Sequence, residues 1–310
     1  MLTTLAALSP GWPSLANLSV YLVLIAAAAY AGGSSVAFLS LGHRRMQVLL
    51  SLTSGVMLGV GLLHLLPHAY LELGHRIDPT AAWVLAGFFL MFLLERAFHG
   101  HAHHTADGSH SGHGHDHGHA CSHDHHHDHD HAAVRSGPWA WCGAFAGLAL
   151  HSLADGAALA ASVNADGGHG VGPLAGFATF LAVVLHKPFD AGIIATLMIN
   201  SGARARTRRI FNLLYALVVP LGAILFLGSL RLFGGDHGTV LGVALAMAAG
   251  AFLCIAAADL LPEVEFHSHD RLLLTAALTL GIAIAWGITV MERGSHAHAV
   301  HAGGAVHSPD

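Results

Sequence analysis

The chain has 310 residues, of which 54% are apolar and only 10% charged, with a net charge of −5. Soluble domains carry about 25% charged residues, so an ordinary water-facing surface is excluded, and the negative balance argues against a nucleic-acid partner. The 29 histidines outnumber the 13 lysines and arginines by more than two to one, and they are bunched, which points to a transition metal.

Residues 1–17 have no basic stretch ahead of an apolar one, so they read as a short extracytoplasmic lead rather than a cleaved signal. Eight apolar segments follow, at about 18–41, 46–71, 80–98, 138–163, 173–199, 210–233, 238–262 and 271–291. Each is about long enough to cross a bilayer as a helix. Backbone groups in hydrocarbon must be bonded within their own segment. The predicted class is therefore all-α: a polytopic membrane protein with eight transmembrane helices. Residues 18–98 hold spans one to three and 138–291 hold spans four to eight, separated by a loop at 99–137 and followed by a His-containing tail at 292–310. Cys121, Cys142 and Cys254 lie too far apart for a disulfide framework, and the last two read as small apolar fillers.

An even number of spans puts both termini on one side, and the arginines choose which. With the termini outside, Arg44, Arg45, Arg96, Arg135, Arg204, Arg206, Arg208, Arg209 and Arg271 lie inside, against Arg76, Arg231 and Arg293 outside. Nine against three is a strong positive-inside bias. It places the termini outside the cytoplasm, in a cell (inner) membrane, and the 99–137 loop within the cytoplasm. Residues 99–131 contain 15 histidines and five aspartates with almost nothing apolar, so this stretch cannot bury a core and is expected to be disordered. His115, His117, His119, His123, His125, His127 and His129 are its densest run, suited to weak buffering of divalent metals. A solvated linker is the plainer alternative.

Ionisable residues inside spans are costly and mark function by default. Span four carries His151 and Asp155, and span five carries His186 and Asp190, both as His-x-x-x-Asp. A separation of four stacks the two side chains on one helical face. Both histidines are the fourteenth residue of their drawn span, hence near midplane. Two imidazoles and two carboxylates suit tetrahedral Zn²⁺, with Cd²⁺, Fe²⁺, Mn²⁺ and Co²⁺ as competitors. Imidazole must be neutral to bind, so uptake through such a site is expected to fall at acid pH unless protons are coupled. Lys187 needs a carboxylate partner at this depth. It is either an incidental cation reaching a wet cavity or a fixed charge standing where a second metal would sit. Pro188 removes a backbone donor, as expected where a span breaks beside a binding site.

Spans two and seven share an x-Leu-Leu-Pro-x core. Span two ends with His64, His68 and Glu72 at steps of four, and span seven with Asp259, Glu263 and His267, then His269. The first stripe faces outward and the second the cytoplasm, so they read as an entrance and an exit path. The pattern has the character of an inverted repeat, spans one to three against six to eight around four and five. Polar helix ends leaving the membrane are the bland alternative.

Over residues 18–291 these features resemble the ZIP (Zrt/Irt-like protein) family of divalent metal transporters. His151-Ser152-Leu153-Ala154-Asp155-Gly156 looks like the family's His-Asn-x-Pro-Glu-Gly, and His186-Lys187-Pro188-Phe189-Asp190 like its second ligand helix. The resemblance implies eight spans, outside termini, a homodimer, and movement of spans one, four, five and six against the others. Aspartate replaces glutamate in both motifs. Ser152 and Lys187 stand where members with a paired-metal centre have Asn and a carboxylate, and span six offers only ALVVPLG around Pro220. The reading is thus a secondary transporter bringing zinc or a similar ion into the cytoplasm through one His₂Asp₂ site, and not an enzyme. A cation-diffusion-facilitator-like exporter also fits His-x-x-x-Asp pairs, but has six spans and a cytosolic domain. An intramembrane metal hydrolase would need a general base besides the ligands.

Overall fold

The computed structural model describes residues 12–35, 43–103, 140–168, 174–232, 236–266 and 271–303, with side chains over 15–35, 44–97, 141–168, 174–232, 236–258 and 271–292. Its helices are α1 (Trp12–Ser35), α2 (His43–Val60), a π turn (Gly61–Leu65), α3 (Leu66–Glu72), α4 (Ile77–His103), α5 (Ala140–Gly168), α6 (Phe177–Asn200), α7 (Ala205–Ala216), α8 (Val218–Leu232), α9 (His237–Phe266) and α10 (Arg271–Gly303). Among the described residues there is no strand. Eight helical stretches are long and apolar enough to cross a membrane: Leu15–Ser35, Arg44–Glu72, Ile77–Ala97, Trp141–Gly168, Phe177–Asn200, Ala205–Leu232, His237–Ala258 and Arg271–Glu292. The protein is a multi-pass integral membrane protein, all-α as predicted. Span two joins α2, the π turn and α3, and span six joins α7 and α8.

Local chemistry sets the ends of these helices. Span five stops at Gly202, whose φ of 75° is left-handed, and the Ala203 N–H donates to the Met198 carbonyl at 2.9 Å, closing off the last turn. Span seven starts after Asp236, whose carboxylate accepts from the Thr239 N–H at 3.3 Å as an N-cap. Hydrogen bonds from the Thr239 hydroxyl and from this N–H hold the exposed Asp236 carboxyl below its usual range. In span six, Pro220 has no N–H for the Ala216 carbonyl, and the helix is interrupted at Leu217, one residue after Ala216.

Two boundaries differ from expectation. Span five was expected to break at Pro188, yet α6 runs through it unbroken. Besides span six, it is span two that is irregular, where the Leu66 N–H reaches back to the Gly61 carbonyl just before Pro67. A lone proline can be absorbed when the neighbouring helix presses on it: a Cβ at Gly32 of span one would collide with the Pro188 backbone. The last helix also runs on to Gly303, so Glu292 belongs to it and is buried, 4% exposed.

The closest packing joins span one to five, four to six, two to eight and three to seven. Each pair falls inside one of the two groups that the family resemblance implied. Small residues make the seams. A Cβ at Gly156 would strike the Val219 carbonyl, and one at Gly222 the Leu153 carbonyl, so spans four and six touch backbone to backbone. Gly55 and Gly281 form the same reciprocal contact between spans two and eight, as do Gly87 and Gly250 between three and seven. Gly156 directly follows Asp155, so the seam also fixes that residue's helix.

Gly156→Val should therefore cost about 1–3 kcal/mol through overpacking. The loss should appear as a lower thermal unfolding midpoint in detergent. Gly143, which has open space where a Cβ would go, serves as the control: Gly143→Ala should unfold with the parent. Equal midpoints for both variants would mean that the seam is not close-packed.

Candidate metal centre

Spans four and five bring the predicted quartet together. His151 Nε2 lies 3.2 Å from Asp155 Oδ2 and 3.6 Å from Asp190 Oδ2. His186 Nε2 lies 3.3 Å and 4.0 Å from the same two oxygens. The imidazole centroids are 5.4 Å apart. His151, Asp155 and His186 each offer a donor atom within 4.8 Å of the others. All three are buried, while the Asp190 side chain is 15% exposed.

The ring of His186 is oriented by its backbone. Its Nδ1 lies 2.8 Å from the Ala182 carbonyl one turn back, a position that only an N–H can occupy favourably. Nε2 is left with its lone pair turned toward the carboxylates, the form in which imidazole binds a metal.

Lys187 is fully buried. Its Nζ sits 2.5 Å from Asp155 Oδ2 and 2.8 Å from Asp190 Oδ2, bridging the two carboxylates. An ion-paired ammonium can be tolerated at this depth where an isolated one cannot.

Span six contributes a residue that sequence reasoning missed. The Tyr215 hydroxyl donates to Asp190 Oδ2 at 3.1 Å and lies 2.9 Å from Ser152 Oγ. Ser152 Oγ is also 2.7 Å from the Leu148 carbonyl. Tyr215 is thus a strut between spans four and five, placed two residues before the interruption at Leu217. The signal was faint but present: a tyrosine in an otherwise aliphatic stretch needs a partner for its hydroxyl.

A cavity of about 440 Å³ reaches this quartet from one end of the bundle. His151, His186 and Asp190 line it, together with Arg96 of α4 and Ala144 of α5. It therefore opens toward the end where span three finishes and span four begins.

At the opposite end, the predicted entrance stripe divides. His64 is 1% exposed, with Nε2 3.1 Å from Ser162 Oγ and 3.6 Å from Asp166 Oδ2, and Nδ1 3.0 Å from Glu292 Oε2. His68 Nε2 lies 3.3 Å from Asp166 Oδ1. Glu72 is elsewhere, beside Gly238 and Gly242 at the start of span seven. Asp166 and Glu292 were not anticipated. Asp166 could have been found by phase, since it follows Asp155 by eleven residues, about three turns on the same face.

Of the predicted exit residues, Asp259 and Glu263 fall in α9 beyond the described side chains. His267, His269 and the loop histidines His115, His117, His119, His123, His125, His127 and His129 lie outside the described residues.

A family model described as "ZIP Zinc transporter" matches residues 15–289. Among curated proteins, the chain is similar to zinc transporter ZIP9 of Micropogonias undulatus, 34% identical over 131 residues covering 40% of each chain. Zinc transporter ZIP9-B of Xenopus laevis is 35% identical over 133 residues, 40% of this chain and 41% of that one. Zinc transporter ZIP1 of Homo sapiens is 29% identical over 145 residues, 47% of this chain and 42% of that one. The chain thus spans less than half the length of the curated relatives it matches.

Removing the bridging ammonium should expose what it offsets. Lys187→Met leaves two buried carboxylates facing each other, and breaking a buried pair costs about 3–5 kcal/mol. A marked fall in the unfolding midpoint in chelator-treated buffer would be the signature. An unchanged midpoint would mean that the carboxylates do not depend on Lys187.

Proposed function

This chain belongs to the ZIP zinc transporter family, and we propose that it is a secondary transporter taking up divalent transition-metal ions, zinc foremost, through a single midplane site. His151, Asp155, His186 and Asp190 are the ligands. The observation that carries this reading is the convergence of two imidazole Nε2 atoms on two carboxylates, 3.2–4.0 Å away, at the inner end of a cavity. Nitrogen and carboxylate donors in a set of four match the tetrahedral preference of Zn²⁺. Cd²⁺, Fe²⁺, Mn²⁺ and Co²⁺ compete for the same donors.

Lys187 limits the site to one ion. The oxygens that the ammonium holds are the ones facing the imidazoles, and with about four lone-pair positions on each carboxylate Asp155 and Asp190 can accept from the ammonium and still offer a lone pair to the cargo. Two carboxylates and one ammonium leave the empty site at −1, and a dication takes it to +1. Ser152 and Tyr215 steady Asp190 and hold span six in place.

The arginine distribution puts the open end of the cavity in the cytoplasm and both termini outside. An ion arriving from outside passes His64 and His68 and is held by the four ligands. It leaves by the cavity toward Asp259, Glu263, His267 and His269, and the His-rich loop buffers it on release. The pairing of spans into two groups supports movement of one, four, five and six against two, three, seven and eight, within a homodimer in the bilayer. Inward flow of net positive charge is favoured by an inside-negative potential, by about 2.3 kcal/mol per charge per 100 mV.

Asp155→Ala should abolish ⁶⁵Zn uptake into proteoliposomes while the protein still elutes as the parent does. Undiminished flux would defeat the assignment. Lys187 can be examined separately. Anomalous scattering should place one ion between spans four and five in the native protein, and Lys187→Asp should admit a second beside it. Two full ions between those spans in the native protein would overturn the fixed-charge reading.

A further inference from the structure

We propose that His64, His68 and Asp166 bind a second divalent transition-metal ion, separate from the midplane one, with Glu292 holding His64 by its far nitrogen. Only the identity of the ion rests on the transporter reading. The geometry stands by itself.

The donor set is of the right kind and spacing. His64, His68 and Asp166 each present a donor atom within 4.8 Å of the other two. Two imidazoles and a carboxylate form a three-ligand set of the type that holds Zn²⁺ with a fourth position left for water. The rings of His64 and His68 are 4.8 Å apart, tilted by 53°, so both reach one point without stacking.

The supports behind the donors are also in place. Glu292 Oε2 lies 3.0 Å from His64 Nδ1, the nitrogen that faces away from Asp166. A carboxylate at that position orients the imidazole and strengthens it as a ligand. The Gly176 N–H donates to Asp166 Oδ2 at 2.7 Å, leaving Oδ1 toward His68. Gly176 has a left-handed φ of 76° and a Cβ there would strike Val163, so only glycine can place that N–H. Thr179 Oγ1 donates to Ser162 Oγ at 2.9 Å, and that hydroxyl lies against His64.

His64 sits inside the π turn, a widening of the helix frequently found at functional sites. The side chains are deeply buried: Asp166 0%, His64 1% and Glu292 4% exposed.

Phase shows that the two sites are distinct. Asp166 lies about 16 Å along span four from Asp155 at 1.5 Å per residue. On span five, Thr179 precedes His186 by seven residues, again on one face. The residues between, Leu159 on span four and Ala182 and Val183 on span five, are all 0% exposed. An apolar layer thus separates two polar compartments. The outer ligands also come from both helix groups, His64 and His68 from span two and Asp166 from span four. The ligand set is complete only while the two groups hold this relative position.

The test is position-resolved, because the histidine-rich loop makes ion counting ambiguous. Crystals of the full chain soaked in Cd²⁺ should give an anomalous peak among His64, His68 and Asp166 as well as one among His151, Asp155 and His186. Asp166→Asn should remove the outer peak alone, and Asp155→Asn the inner peak alone. His68→Gln, at a partly exposed position, repeats the outer test if Asp166→Asn misfolds. An inner peak with no outer one in the native protein would overturn this inference and leave the proposed function intact. An outer peak with no inner one would do the reverse.

Discussion

Two aspartates in the apolar middle of a helix bundle are tolerable only because Lys187 stands between them. Its ammonium contacts Asp155 and Asp190 together, and much else follows from that bridge. It joins span five to span four. It fixes which oxygens face the two imidazoles. Tyr215 completes the arrangement from span six, so three helices converge on a single carboxylate, Asp190. An isolated charge at this depth would cost several kcal/mol. A hydrogen-bonded triad spreads that cost over groups that also serve as ligands.

The helices meet this closely because of what is missing from their surfaces. Lipid tails are as apolar as leucine, so no hydrophobic gain pulls one span onto another, and close van der Waals contact has to do it. Glycines face carbonyls reciprocally across the 2–8, 3–7 and 4–6 seams. These seams tie helices within each group, and the midplane cluster likewise joins spans four, five and six of one group, whereas the outer cluster of His64, His68 and Asp166 bridges the two groups. Apolar glycine seams make rigid bodies. The outer polar contacts, which cross the divide, can exchange one partner for another.

Much of this was legible in the sequence, for reasons that are local. Span existence follows from runs of apolar residues, and the His-x-x-x-Asp pairs declare a shared face through the helical period alone. That both pairs lie at one depth came from counting along adjacent spans. What escaped depends on contacts between distant segments. Glu292 looked like the first residue of a tail because hydropathy falls there, yet its partner His64 is over two hundred positions away in the chain. Tyr215 was passed over because its role lies in partners on spans four and five. The expected break at Pro188 did not occur, since the cost of a proline depends on what packs against it. Span two was irregular where the sequence offered only another proline. Glu72 kept the four-residue rhythm of His64 and His68, but the helix ends there and the chain turns it toward span seven.

The widened turn at Gly61–Leu65 has an effect on how span two is to be aligned with its neighbours. Such a turn carries one residue more than regular winding allows, and each residue of an α-helix advances about 100° around the axis. The two halves of this span are therefore out of step. Positions that line the seam with span eight, such as Gly55, cannot be extended by simple counting to His64 and His68. An azimuthal offset is built into the rod, and it turns both imidazoles toward Asp166 of span four while His64 still meets Glu292 of span eight. One surplus residue thus lets a single helix keep its seam with span eight and reach span four as well.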